Sequence, residues 1–171
     1  GIGMVIGHEI THGFDDHGRQ FDERGNLRDW WTADDASQYL ARAQRVSAQY
    51  GDYAGIDQLH LNGKLTLGEN IADIGGLKIA YLGLQRALSR RPQGLIEGRT
   101  PEQRFFISFA QIWRTKMTPE FERLVIQSNT HAPPRFRVQG SIANMPEFAQ
   151  AFSCSPGEGA LRPDAERAAI W

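Results

Sequence analysis

The chain opens on a helix that carries two histidines four residues apart, and that spacing constrains the fold more than any other feature. In Gly7-His8-Glu9-Ile10-Thr11-His12-Gly13 the pattern H-E-x-x-H sets His8 and His12 on one helix face, close enough to share one metal ion. Glu9 projects about 100° round from His8, where it flanks the metal and reaches water held there. The chemistry such a set supports is metal-assisted hydrolysis. The competing reading is a hydrogen-bonded core histidine, because Gly3-Met4-Val5-Ile6 makes this helix apolar. The pentapeptide alone leaves both readings open.

With 171 residues, 40% of them hydrophobic, the chain can bury one core, and its length does not demand two domains. Nineteen Lys and Arg balance twenty Asp and Glu to a net charge of -1, which gives no reason to expect nucleic acid as a partner. No apolar run approaches the roughly 20 residues of a membrane span, so no membrane contact is expected of this piece. Cys154 is the only cysteine, which excludes an internal disulfide and a Cys-rich zinc knuckle. Gly1-Ile2-Gly3 offers no capping side chain, which implies that the natural chain starts upstream. Gly1 and Gly3 also resemble the start of a phosphate loop, but Ile6 stands where G-x-G-x-x-G needs its third glycine.

After Asp15-Asp16 comes a turn-rich loop in which His17 reads as solvated. A metzincin would need glycine at 15 and histidine at 18, where this chain has Asp15 and Gly18. Thr32 caps a helix expected over about 33–50, followed by a loop to Gly63 in which His60 is structural or exposed. A helix opens near Leu65 and runs to about Leu88, with Glu69 and Asp73 on one face. Two acids near a helix start can simply complement its dipole. The sharper alternative makes Glu69 a third metal ligand and Asp73 the acceptor that fixes a histidine tautomer. Gly75-Gly76 inside this helix costs about 1 kcal/mol per glycine, which implies close packing by a neighbour, the histidine helix being the obvious one.

Thr100-Pro101-Glu102-Gln103 is a capping box opening a helix through Phe105, Phe106, Phe109, Ile112, Trp113 and Lys116. Its aromatics read as core, with Ile112 and Trp113 as alternative pocket lining. Thr118-Pro119 starts a shorter helix ending near Ser128-Asn129. Residues 129–138, with His131, two prolines, Arg135 and Arg137, read as a rigid loop; 141–152 reads as partly helical. The tail from Ser155 is expected to be extended, with Ile170-Trp171 docked. The fold class is mainly α, helices joined by long loops, with at most a short strand pair.

Three blocks read together carry a resemblance: Val5 to Asp15, Gly68-Glu69-Asn70-Ile71-Ala72-Asp73, and His131-Ala132-Pro133 with Phe136-Arg137-Val138. They resemble the catalytic domain of neprilysin-type zinc endopeptidases, a family that includes endothelin-converting enzyme and bacterial oligopeptidases, across residues 1–171. The resemblance implies a zincin-like (gluzincin) catalytic domain, of which this is the C-terminal part. It implies one Zn2+ ion held by His8, His12 and Glu69, with Glu9 as general base and Asp73 holding His8. It further implies that His131 hydrogen-bonds the developing oxyanion and that Arg137 grips a substrate backbone carbonyl. Met4, Val5, Ile112 and Trp113 resemble the lining of the main hydrophobic pocket, which implies cleavage before large hydrophobic residues.

The chain also departs from that family. Arg114 and Ala168 stand where vertebrate members have cysteines, which points to a bacterial relative, and the usual partner of Cys154 lies upstream. The resemblance implies that the helical region enclosing the family's cavity, and a strand that holds substrate backbone, belong to chain upstream of Gly1. Short to medium peptides are therefore the expected substrates of the parent, and the isolated piece is expected to be weak or inactive. The missing N-terminal part is an expected partner, and the surface it leaves exposed could mediate association. The family setting is extracytoplasmic (periplasmic, secreted or cell-surface), with a cytoplasmic one as the alternative. The rival function is a non-catalytic metal-binding or assembly module on the same fold.

Overall fold

Helices form where the sequence supplies a start signal and an apolar face. The computed structural model describes residues 1–154 and 161–170. Within them α1 spans Ile2–Thr11, α2 Ala33–Gly51, α3 Leu67–Arg90, α4 Pro101–Ile112, α5 Pro119–Ser128, α6 Pro134–Ile142 and α7 Pro146–Phe152. The expected caps form: the side chains of Thr32, Thr100 and Thr118 accept from the backbone N–H of Asp35, Gln103 and Phe121. Gln103 reaches back to the Thr100 N–H and completes the capping box. Among the described residues β structure is limited to isolated antiparallel bridges, Phe21 with Leu27, Ala54 with His60 and Ile96 with Arg99. The described fold is thus predominantly α and zincin-like. No described helix is long and apolar enough to cross a membrane.

Two boundaries differ from expectation. α4 stops at Ile112 rather than running to Lys116, because the Trp113 and Arg114 N–H groups bond back three residues, to Ala110 and Gln111, and tighten the last turn. The segment around Pro133-Pro134, read as a loop, already starts α6: Pro134 sits at the first helical position, where its missing N–H costs nothing. The expectations for 155–160 and Trp171 lie outside the described residues. Ile170 is buried, and its carbonyl accepts from Arg42 Nη1 at 2.9 Å, so this part of the tail docks against α2.

α3 is the central element, with every residue from Asn70 to Leu77 buried. One core cluster joins Tyr39, Val46 and Tyr50 of α2 to Ile71 and Ile74 of α3 and Phe136 of α6. A second joins Met4 of α1 to Leu77 and Tyr81 of α3, Phe106 and Phe109 of α4, and Met145. α1 packs on α3 more extensively than any other pair of helices. Gly7 and Gly76 permit this approach: a Cβ on Gly7 would lie 2.8 Å from Gly76 O, and one on Gly76 would lie 2.8 Å from His8 Cα and from Met4 O. The side of α1 away from its histidines, Ile2, Ile6 and Ile10, is exposed, as are Ile79 and Leu82 of α3.

Candidate metal centre

The close packing of α1 on α3 brings Glu69 over the two histidines. His8 Nε2 and His12 Nε2 lie 3.0 Å apart, His8 Nε2 is 3.4 Å from Glu69 Oε2, and His12 Nε2 is 3.6 Å from Glu69 Oε1. Each of the three residues thus offers a donor atom within 4.8 Å of the other two. A tetrahedral zinc site with bonds of about 2.0–2.1 Å has donors roughly 3.3 Å apart, close to these separations.

The outer nitrogens of both rings are held. His8 Nδ1 faces Asp73 Oδ1 at 2.9 Å, and His12 Nδ1 faces Asp15 Oδ2 at 2.7 Å. With each neutral ring donating from Nδ1 to its carboxylate, both Nε2 atoms are left as lone pairs. Two lone pairs and a carboxylate converging on one point repel unless a cation lies between them, so the donor set fits a divalent metal. Burial opposes charge on His8, but hydrogen bonds to Asp73 and Glu69 outweigh it and push the metal-free ring's pKa up to about 9. Burial likewise opposes the charge on Glu69. The His8 hydrogen bond and the charges of His131, Arg137 and His12 prevail, holding its carboxyl below the usual range.

The remaining expected residues fall in four places: α1, the end of α4, the segment before α6, and α6 itself. Glu9 is exposed on α1, and His131 is half-exposed, its Nε2 3.1 Å from Glu69 Oε2. His131 Nδ1 faces Asn129 Oδ1 at 3.0 Å, so both ring nitrogens point at acceptors. Arg137 is buried and grips Asp73 with a fork, Nε to Oδ2 and Nη2 to Oδ1, both at 2.7 Å. Nη2 also lies 3.4 Å from Glu69 Oε2, and the guanidinium carbon sits 3.9 Å from the centroid of the Trp113 ring. Of the expected pocket residues, Val5 and Ile112 are exposed and Trp113 is half-buried, while Met4 is enclosed in the second core cluster at 2% exposure. His17 is solvated, and His60 bonds the Gly51 carbonyl at 2.9 Å.

Sequence reasoning assigned no role to Asp15, whose Oδ1 accepts from the N–H groups of His17 and Gly18 while Oδ2 holds His12. The available signal was an acid three residues past the second histidine. Asn129, which anchors His131 through both the backbone N–H and the ring, was also missed.

Comparisons with known proteins agree with this geometry. Residues 1–168 match peptidase family M13. Neprilysin-2 of Drosophila melanogaster is 46% identical over 99% of this chain and 22% of its own length. Neprilysin-1 of Caenorhabditis elegans is 47% identical over 100% of this chain and 23% of its own. Among solved structures, an inhibitor-bound zinc metalloprotease of Mycobacterium tuberculosis superposes with a TM-score of 0.96 at 42% identity, covering 100% of this chain and 27% of that one. The chain therefore spans under a third of the length of these relatives. From its helices, its His-His-Glu cluster and this match over nearly its whole length, the chain belongs to peptidase family M13.

Proposed function

We propose that this chain is the metal-bearing C-terminal part of a zinc endopeptidase catalytic domain that hydrolyses short to medium peptides. The observation that carries the reading is the convergence of His8 Nε2, His12 Nε2 and Glu69 on one point, with both histidines held from behind by carboxylates. When bound there, zinc acidifies water and polarises the scissile carbonyl as a Lewis acid. Glu9, exposed between the two histidines, takes the proton of the attacking water and passes it to the leaving amine. His131, beside Glu69, donates to the oxygen that gains charge in the transition state, where stabilisation raises the rate. Arg137, anchored on Asp73 through Nε and Nη2, retains Nη1 to orient a substrate carbonyl.

Val5, Ile112 and Trp113 would favour a large apolar side chain after the cleaved bond, with Met4 supporting them from the core. Chain upstream of Gly1 would complete the cleft and cover the exposed Ile2, Ile6 and Ile10 face of α1. Without it, substrate is poorly oriented, so the isolated piece is weak or inactive. A bacterial kinship and an extracytoplasmic setting belong to the same proposal: Arg114 and Ala168 stand where the family resemblance places cysteines in vertebrate members, and the setting is that of the family.

The test is metal analysis and peptide hydrolysis on the whole protein and on Glu9→Gln. The expected result is about one zinc per chain in both, with hydrolysis reduced by about 10²–10⁴-fold in the variant, the usual contribution of a general base. Undiminished hydrolysis in Glu9→Gln would remove the general-base assignment, and failure of the whole protein to take up zinc would remove the peptidase reading.

A further inference from the structure

We propose that Trp113 is a positioning residue for the metal centre: its ring holds the Arg137 guanidinium in the plane that lets Asp73 orient His8. The proposal rests on the reading of His8, His12 and Glu69 as metal ligands.

The chain of contacts is continuous and crosses four elements. The Arg137 guanidinium carbon lies 3.9 Å from the Trp113 ring centroid, well inside the roughly 6 Å reach of a cation on an aromatic face. The same guanidinium forks onto Asp73, whose carboxylate is fully buried. Asp73 Oδ1 is shared: it accepts from Arg137 Nη2 at 2.7 Å and faces His8 Nδ1 at 2.9 Å. A fork of two parallel bonds keeps carboxylate and guanidinium nearly coplanar. Tilting the guanidinium therefore swings Oδ1 away from the imidazole and loosens the ring that presents Nε2. The arginine stem has several rotatable bonds and does not fix that plane, whereas an aromatic ring only 3.9 Å from the guanidinium carbon limits how far the group can tilt.

Trp113 is well placed to act as a fixed wall. It caps the C-terminus of α4 and packs against the cluster of Met4, Phe106 and Phe109. Its indole Nε1 is buried with no hydrogen-bond partner among the described residues, so the ring face, not a hydrogen bond, is its contribution here. Phenylalanine at this position keeps a ring face and loses no hydrogen bond.

The test is zinc affinity, measured by chelator competition on the whole protein, alongside peptide KM and kcat. Fluorinated tryptophans placed at position 113 keep the shape and fold but weaken the negative ring face, so zinc affinity should fall stepwise with fluorination. Trp113→Leu should weaken zinc about tenfold, the lower end of the usual loss for a group behind a metal ligand, while Trp113→Phe retains most of it. In an Arg137→Met background Trp113→Leu should have no further effect. Zinc affinity unmoved by fluorination and by Trp113→Leu, with only KM changed, would assign Trp113 to substrate contact alone and overturn the proposal. An equal loss with and without Arg137 would overturn it in favour of general packing. A wild-type protein that binds no zinc removes the ligand reading itself, a result distinct from both.

Discussion

Each histidine of the cluster is held by an acid, and the two acids are themselves held differently. Asp73 comes from another helix and is clamped by Arg137, whereas Asp15 is local, fixed by the N–H groups of His17 and Gly18 in the turn just past His12. Gly18 passes so close beneath His12 that a Cβ there would overlap the His12 carbonyl. The position that had to be histidine in a metzincin is thus one that only glycine fits. Because the Asp15 Oδ2 that holds His12 is not the oxygen that makes the turn, Asp15→Asn should keep the turn and lose the carboxylate behind His12. Zinc affinity should fall by about 10–100-fold. Equal zinc affinity in chelator competition would reduce Asp15 to a turn former. That His8 shares a helix face with His12, and Glu69 one with Asp73, was legible in the sequence from the four-residue spacing, whereas only the family resemblance implied that the two faces meet. The role of Asp15 was not legible, because an acid beside Asp16, His17 and Gly18 reads as turn chemistry.

At the level of elements, the α1–α3 contact sets the precision of the site, and glycine is what lets the two backbones meet. Gly76→Ala forces its Cβ against the His8 backbone and should destabilise the protein by about 1–3 kcal/mol while weakening zinc binding. Gly83, on the same helix with open space around it, is the control: alanine there should stabilise by about 0.5–1 kcal/mol. Denaturant unfolding of both variants measures the contrast, and a stabilising Gly76→Ala would contradict the packing account. The Gly75-Gly76 pair announced this contact in the sequence, and the Thr caps announced the starts of α2, α4 and α5. α6 went unread because Pro133-Pro134 resembles a loop breaker unless the second proline is recognised as a helix start. Arg137, on α6, therefore had a residue type in the sequence but no place: its fork onto Asp73 spans 64 positions.

For the whole molecule, metal binding, folding and pH are coupled through His8. Its metal-free pKa of about 9 lies above the unfolded value near 6.5, since Asp73 and Glu69 favour the charged ring. That contribution to stability is fully present below about pH 6.5 and is lost as pH rises through about 9. Zinc requires the opposite state, a neutral Nε2, so protons compete with the metal across the same interval. Below pH 9 the apparent zinc affinity should therefore rise about tenfold per pH unit from this proton alone, levelling off above it. Zinc bound at this cluster should stabilise the fold, because the candidate donors come from both α1 and α3 and unfolding separates them. A free zinc concentration of about 100 times Kd adds roughly 2.7 kcal/mol, and each further tenfold in affinity adds about 1.4 kcal/mol. The gain in Tm on adding a fixed free zinc concentration should then grow from pH 6.5 to pH 8.5, even as the metal-free protein loses the His8 contribution. Thermal unfolding with buffered zinc and with chelator at each pH measures both limbs. A zinc-induced gain independent of pH would mean that His8 does not carry the competing proton.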